Sequence, residues 1–404
     1  MRVAFTLFGG NHWTGGINYL VNLLSAIREL PGQPIEAVLF AGFDADPEII
    51  DRLIPYLSAS PIQSKLWTRG TIPYCIRLLQ SLVLQRDVLA EEAFRQAGVD
   101  LVFQHANWYG YRFSLPTLAW IGDFQHRHLP HMFTARSYWK REIGFHALVK
   151  CATTIMVMSE DARQDCERFY PRAKSKVAVL PFAVRIPSET WKQSPEAVRK
   201  KYNLPEKFFF LPNQFWKHKN HIAVIEALKL LRERGEVIIV AVSGNLQDIR
   251  DPAHFKQIIS LIRDYDIENE FRVLGLVPFV DIFPLMRASI GVINPSFYEG
   301  WSTTVEEAKS IGVPLLLSNL RVHQEQSPMA CEFFDPNNPK NIADVLSSFW
   351  RERIPGPDLE LENNAAKFVP QWRTTFAQSF LNISEKTIKS SHDSLRNKSY
   401  LFKT

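Results

Sequence analysis

The sequence predicts a doubly wound α/β protein made of two Rossmann-like units. Three observations carry that prediction. Strand-length apolar runs recur along the chain without the alternation of a half-exposed strand, as expected where a parallel sheet is covered on both faces. Stretches with apolar residues at helical spacing separate these runs. The alternation lapses once, at residues 185–201, into Ile186-Pro187-Ser188-Glu189-Thr190 and a charged stretch, and then restarts. A chain of 404 residues has room for both units, being roughly two to three times an ordinary domain length.

Taken in order, residues 3–8 read as a strand. Gly9-Gly10-Asn11-His12-Trp13-Thr14-Gly15-Gly16 follows as a glycine-rich loop, and apolar residues at 17, 20, 21, 24 and 27 open a helix. Residues 35–41, 101–104, 117–121, 153–158 and 177–180 supply the remaining strands of the first unit. The second begins with a strand at 208–211. A helix at 222–231 closed by Gly235, a strand at 237–242 ending in Ser243-Gly244-Asn245, and a helix at 252–265 come next. Strands at 271–274, 290–294 and 315–317 complete it. The domain boundaries are therefore 1–185 and 186–365, with a helix in 366–390 expected to pack back on the first domain and a polar tail at 391–404. A ligand cleft is expected where the carboxyl ends of the two sheets face each other.

Composition excludes several classes. Hydrophobic residues make up 46% of the chain and charged residues 22%, with 28 Phe, 10 Trp and 11 Tyr, which is too much core material for a disordered protein. The net charge of +5 is too weak for a nucleic-acid binder. Its distribution is uneven: residues 1–185 hold 20 Lys/Arg against 16 Asp/Glu, the rest 27 against 26, so the first half favours an acidic or membrane-bound partner. The four cysteines lie far apart without metal-ligand spacing, and the N-terminus opens on a strand rather than an export signal, which points to cytoplasmic residence with free thiols. No apolar window is long enough to span a bilayer, so membrane contact would be peripheral.

The most informative stretch runs from Asn294 to Ala308, out of a strand into a helix. Ser302 is a natural N-cap, and the free amides of the following turn, with the Thr303 and Thr304 hydroxyls and the helix dipole, suit a diphosphate. Glu299 precedes that helix and Glu307 lies about one turn inside it. Either the two acids merely complement the dipole, or they grip hydroxyls at two ends of one elongated ligand. A second cluster, Asn213-Gln214-Phe215-Trp216-Lys217-His218-Lys219-Asn220-His221, follows the first strand of the second unit. It is either a solvated basic stretch or a cationic site for a leaving diphosphate.

Tyr298-Glu299-Gly300, with Glu307 eight positions after Glu299, resembles the signature of the retaining glycosyltransferases of family 4, whose fold is called GT-B. Residues 311–319 match the helix, turn and strand after that signature, and Glu325 falls in its acidic loop. The resemblance implies that Glu299 contacts the donor sugar and Glu307 the nucleotide ribose. It makes the first domain the acceptor side and the second the nucleotide-sugar side. Gly300-Trp301-Ser302 replaces the family's usual Gly-Phe-Gly, so the backbone approach to the sugar differs. Lys219-Asn220 matches the phosphate-binding loop. Gln214 stands where many relatives carry arginine, and Lys217 is expected to compensate. Gly16 would lie beside the diphosphate; the dinucleotide spacing Gly-x-Gly-x-x-Gly is absent, which argues against an NAD enzyme.

Asp123 matches the second residue of the family's His-Asp pair. Gly122 replaces the histidine, so His126 or His128 is expected to take over near the sugar. His126, His128 and His131 lack a helical i, i+4 pair, which disfavours a metal, and the family needs none. The looser acceptor-side candidates are residues 104–109 and the stretch 67–86, which is either an amphipathic core helix or one lying on a membrane. The implied activity moves a sugar from a nucleoside-diphosphate sugar, as co-substrate without further cofactor, to a lipid-linked or saccharide acceptor, with retention. Bacterial cell-surface polysaccharide assembly at the inner face of the cytoplasmic membrane is the expected setting. A sugar-nucleotide epimerase of the same fold and a non-catalytic GT-B-like subunit are the alternatives.

Overall fold

The computed structural model describes residues 1–7, 14–105, 107–248, 250–326 and 328–401. The chain forms two compact units. Unit 1 comprises Met1–Phe124, Ala135–Arg185 and Gln371–Thr404; unit 2 comprises Gln125–Thr134 and Ile186–Pro370.

Along the first part of the chain the elements are β1 (Arg2–Leu7), α1 (Thr14–Arg28), β2 (Glu36–Ala41), α2 (Pro47–Leu53), β3 (Ile62–Gln63), α3 (Ile72–Val83), α4 (Val88–Gln96), β4 (Leu101–Gln104) and β5 (Thr117–Trp120). They continue as α5 (Gln125–His128), α6 (Ala135–Cys151), β6 (Thr154–Val157), α7 (Glu160–Phe169) and β7 (Val177–Val179). The strands form one parallel sheet in the order β3-β2-β1-β4-β5-β6-β7.

After Arg185 come α8 (Pro195–Lys201), β8 (Phe209–Leu211), α9 (His221–Glu233), β9 (Val240–Ser243), α10 (His254–Asp264), β10 (Phe271–Gly275), α11 (Phe279–Ala288), β11 (Gly291–Asn294) and α12 (Thr303–Ser310). The remainder is β12 (Leu315–Ser318), α13 (Arg321–Gln326), β13 (Cys331–Phe334), α14 (Pro339–Glu352) and α15 (Leu359–Leu401). The second sheet is also parallel, in the order β10-β9-β8-β11-β12-β13.

Burial explains the sheets. Phe208, Phe209, Phe210 and Leu211 are all fully buried: Phe209 and Leu211 pack with Val224, Leu228 and Leu346, while Phe208 and Phe210 pack with Leu285, Val305 and Ile311. Each such side chain contributes about 2 kcal/mol on leaving water, so a run without alternation is stable only between two helical layers. The strand order reverses at β1/β4 and at β8/β11, and in open α/β sheets ligands bind at the carboxyl ends beside such a switch point. In unit 2 that point is flanked by Asn213 and Asn294.

The structure departs from the sequence expectation at several places. Gly15 and Gly16 lie inside α1 rather than in the loop before it, and Gly16 is buried. Gly9 and Gly10 fall outside the described residues. The edge strands β3 and β13 were not expected: the first is two exposed residues and the second carries Glu332, so neither has a buried apolar run. Residues 195–201, expected as linker, form α8, with Ser194 accepting a hydrogen bond from the Ala197 amide as N-cap.

The terminal helix is longer at both ends than 366–390, and the expected tail at 391–404 is helical through Leu401. No glycine or proline follows Pro370, so nothing stops the helix. Its first turn is anchored within unit 2, where Arg287 and Glu362 form a buried ion pair at 2.7 Å. From Gln371 onward it belongs to unit 1. Phe380 packs against Phe5 and Phe103, Arg373 pairs with Glu29 at 2.7 Å, and Thr387 bonds Thr154 at 2.8 Å.

Candidate active site

The carboxyl ends of β8 and β11 are neighbours, because these strands pair with Gly291 opposite Phe209 and Val292 opposite Phe210. That register sets Asn213 beside Asn294, and the Asn213 Nδ2 donates to Asn294 Oδ1 at 3.2 Å. Asn294 is a hub. Its Nδ2 donates to Ser302 Oγ at 2.8 Å, and Ser296 Oγ lies 2.6 Å from its Oδ1. The same Ser296 hydroxyl lies 2.6 Å from Glu299 Oε1, so its single proton serves one of two acceptors.

Two loops converge here. Phe297 N donates to His218 O at 2.8 Å, and Asn220 Nδ2 donates to Pro295 O at 3.1 Å and Pro336 O at 2.9 Å. Asn220 makes those bonds from a left-handed backbone conformation (φ 56°), which asparagine tolerates better than most residues. Between these ties Lys219 Nζ meets Glu299 Oε1 at 2.6 Å, the two side chains only 13% and 10% exposed. Gly244 is needed nearby: a Cβ there would stand 2.4 Å from the Asn213 carbonyl oxygen.

Ser302 caps α12 by accepting from Val305 N at 3.4 Å. Gln326 clamps the cap, accepting from Ser302 N at 3.2 Å and donating to Ser302 O at 2.9 Å and Glu306 Oε1 at 3.0 Å. Lys309 also binds Glu306, at 3.1 Å. The amides of Thr303 and Thr304 have no acceptor among the described residues, which leaves an anion site of two N–H groups at the positive end of the helix dipole. The Thr304 hydroxyl was expected to join that site. It is instead buried and lies 3.3 Å from Asn213 Oδ1, because the second position of the helix turns inward here; Thr303 is half-buried.

Glu307 is half-buried and has no hydrogen bond or ion pair among the described residues. Burial pushes its carboxyl up to about 8. Glu306, its neighbour, is also raised by burial, though Lys309 and Gln326 oppose the rise. The two acids thus differ in kind: Glu306 is spent on internal bonds, and Glu307 is available.

Lys217 is held differently from Lys219. Its amide donates to Asp248 Oδ2 at 3.2 Å and its Nζ lies 3.6 Å from Asp251, so its charge is directed to the loop after β9. Gln214 Oε1 accepts from Asn245 N at 2.8 Å, tying the same two loops. Of the donor-side residues expected from sequence, Lys219, Glu299, Ser302, Thr303 and Thr304 are therefore joined by one bonded network or helix turn. Gln214 and Lys217 belong to its flank. Gly16 and Asp123 lie in unit 1, where Asp123 pairs with Arg141 at 2.6 Å.

The histidine loop belongs to unit 2. His128 stacks on Tyr298, ring centroids 4.7 Å apart, next to Glu299 in sequence; His126 is buried, its ring 6.3 Å from that of Phe133.

Sequence reasoning missed Arg250 and His323. Arg250 donates to Asp248 and, at 3.2 Å, to Gln125 Oε1; its Nη2 lies 3.3 Å from His218 Nδ1, and its guanidinium covers the Trp216 and Phe133 rings at 5.4 and 5.7 Å. Its only sequence signal was the cluster Asp248-Ile249-Arg250-Asp251 after a strand end. His323 is buried, and its Nδ1 donates to Ser318 O at 2.8 Å, which leaves Nε2 as an acceptor without a partner among the described residues. Burial lowers its pKa, while the Glu299 charge acts to raise it and Lys219 to lower it. Among the described residues no group of three or more His, Cys, Asp or Glu could hold a metal ion.

Two parallel sheets of this order define the GT-B class of fold. A glycosyltransferase from Rickettsia africae ESF-5 superposes over 98% of this chain and 99% of its own, with a TM-score of 0.65 at 16% identity. Anabaena Alr3699/HepE in complex with UDP-glucose does so over 97% of this chain and 100% of its own, with a TM-score of 0.63 at 16% identity. Residues 194–368, which lie within the second unit, match the family model of glycosyl transferases group 1. The O-antigen chain mannosyltransferase B of Escherichia coli is 28% identical over 224 residues, 52% of this chain and 56% of that relative. The match thus spans little more than half of the relative's length.

Proposed function

We propose that the protein is a retaining glycosyltransferase that moves a sugar from a nucleoside-diphosphate sugar to an acceptor hydroxyl. The observation that carries this reading is the Lys219–Glu299 pair, linked through Ser296 and Asn294 to the Ser302 cap of α12, whose Thr303 and Thr304 amides and Glu307 carboxyl have no partner among the described residues. A diphosphate placed on those amides takes Lys219 as its cation. Glu299 is then released to accept hydrogen bonds from the sugar, and Glu307 accepts them from the ribose. Lys217, Gln214 and His126 are proposed as the flank of this site within unit 2.

Transfer proceeds at one face. The bond from the anomeric carbon to the diphosphate oxygen breaks with its electron pair going to the diphosphate, and the acceptor oxygen bonds the same carbon on the same side. The acceptor proton passes to the departing phosphate oxygen. Lys219 and the α12 amides gain strength as negative charge builds on the leaving group, which lowers the barrier more than it helps ground-state binding. No metal or further cofactor takes part in this scheme. The match to an O-antigen mannosyltransferase supports a role in cell-surface polysaccharide synthesis. A lipid-linked or saccharide acceptor at the cytoplasmic face of the membrane completes the proposal.

A thermal-shift panel of UDP, GDP, dTDP and ADP sugars tests the reading. A true donor at a hundred times its Kd stabilises the protein by about 2.7 kcal/mol. A panel in which no nucleotide sugar shifts the melt, or in which the donor alone is epimerised without glycosylated product, rejects it.

A further inference from the structure

Arg250 ties three segments of unit 2 together. Its Nε donates to Asp248 Oδ1 at 3.2 Å, its Nη1 donates to Gln125 Oε1 at 3.2 Å, and its Nη2 lies 3.3 Å from His218 Nδ1. Asp248 is buried and also accepts from the amides of Arg250 at 3.0 Å and Lys217 at 3.2 Å, so the carboxylate that orients the guanidinium is itself fixed by the backbone. The contact with His218 settles where that ring carries its proton. A guanidinium has no acceptor, so Nδ1 is the bare nitrogen and the hydrogen sits on Nε2. Burial above all holds the ring's pKa well below the usual histidine value, and the charges of Lys219 and Arg250 and the nearby His221 act the same way. Asp248, the acid that would oppose them, is paired with Arg250. His218 is therefore a neutral donor. No described residue accepts from its Nε2–H, and with 6% of the residue exposed the nitrogen reaches the surface.

Its surroundings select what that donor meets. The His218 carbonyl accepts from Phe297 N at 2.8 Å, and Lys219, the next residue, pairs with Glu299 at 2.6 Å. A neutral N–H with Lys219 beside it in the chain and Arg250 against its ring suits an anion. The loop also lacks a cation that it was expected to have. Gln214 brings no charge where many relatives carry arginine, and Lys217 is turned to Asp251 at 3.6 Å.

We propose that His218 binds a phosphate oxygen of the donor through Nε2–H, with Arg250 as the positioning residue that fixes the ring's tautomer. The inference rests on the reading of Lys219 as the cation of a diphosphate, yet it needs neither base nor sugar, so a phosphate probe separates the two. The experiment titrates inorganic pyrophosphate into the full chain by calorimetry, beside the nucleotide-sugar panel. His218→Asn keeps an acceptor for Arg250 at the place of Nδ1 and removes the outer donor. His218→Gln reaches the place of Nε2 with an amide and gives up the Arg250 contact. Pyrophosphate should bind the Asn variant about tenfold more weakly than wild type, and the Gln variant should recover most of that loss. A ring kept only for its bond to Arg250 would give the opposite order. Arg250→Met, which still covers the Trp216 and Phe133 rings, should weaken pyrophosphate binding and let the His218 ring exchange between tautomers, seen in its ring-nitrogen NMR signals in the ligand-free chain. Pyrophosphate that does not bind wild type, an Asn variant that binds it equally well, or wild-type signals of the Nδ1–H tautomer would overturn the proposal. Pyrophosphate binding that depends on His218 while no nucleotide sugar shifts the melt would uphold it and reject the transfer reading instead.

Discussion

Glu307→Gln keeps the size of the side chain and removes its titration. Burial holds the native carboxyl at about 8, against about 4.5 when exposed to water. Between those values the folded chain retains a proton that the unfolded chain has given up, so this residue makes stability fall as pH rises from about 4.5 to about 8. By pH 7 the full linkage would be roughly 3 kcal/mol, and partial exposure of the side chain screens it to about 1–2 kcal/mol. Glutamine escapes that cost. The variant should melt about 3–6 °C above wild type at pH 7–8 and level with it at pH 4.5, measured by scanning calorimetry across the range. Binding should change in the opposite direction. Ribose hydroxyls donate to a carboxylate, so binding at pH 7 of whichever nucleoside diphosphate sugar of the panel stabilises wild type should release up to one proton, read by titration calorimetry in two buffers of different ionisation enthalpy. The variant should release none and bind roughly tenfold more weakly, for a loss of about 1.4 kcal/mol. Equal melting curves at every pH, together with equal proton release, would refute both the environment and the role assigned to Glu307.

Lys219→Ala leaves Glu299 nearly buried without its cation, so unit 2 should lose about 3 kcal/mol and sugar transfer should fall at least ~100-fold. Lys219→Ala/Glu299→Gln should recover the melting temperature and not the turnover, which separates packing from chemistry. At Gly312 the backbone is left-handed (φ 69°) and a Cβ would stand 2.3 Å from the Leu361 carbonyl carbon, so Gly312→Ala should cost roughly 2–4 kcal/mol in calorimetry; a change under ~1 kcal/mol would contradict the tight seat of α15. In acid the sign reverses from that of Glu307. Burial holds His105 at about 4 and His221 at about 3, while the unfolded chain protonates near 6.5, so stability should fall as pH drops from 6.5 to 4 by up to about 1.4 kcal/mol per pH unit for each group. His221→Phe, which keeps the ring stacked on Phe215, should lessen that acid loss in pH-dependent melts.

The strands that build both sheets were legible because burial on two faces leaves an unbroken apolar run, as at Phe208 to Leu211. Glu299, Glu307, Ser302 and Lys219 were legible because a strand end, a capping residue and acids at fixed spacing coincide. Asn294 and Ser296 were not: a lone polar residue at a strand end has no periodicity, and its importance arises from the neighbour that β8/β11 pairing supplies. Arg250 and His323 share that difficulty, since each acts on residues far away in sequence. The orientation of α3, which buries Arg77 against Asp87 and leaves Ile72, Leu79 and Val83 exposed, was hidden for another reason. An amphipathic pattern shows that a helix has two faces without saying which one turns inward, and here the deciding partner is Asp87, beyond the end of the helix. Segment 125–134 reads as a continuation of the first sheet, and only folding assigns it to unit 2.

The path of the chain has a consequence for anyone who would divide it. It passes from one unit to the other after Phe124, Thr134, Arg185 and Pro370. A nick at Arg185 therefore yields two pieces that have each lent an arm to the other: the amino-terminal piece keeps residues 125–134 seated in unit 2, and the carboxy-terminal piece keeps Phe376 and Phe380 buried in unit 1. Grafting the sugar-nucleotide half of a relative onto this chain would have to splice at all four passages, and a hybrid joined only at the obvious linker would carry a foreign helix into a core shaped for its own.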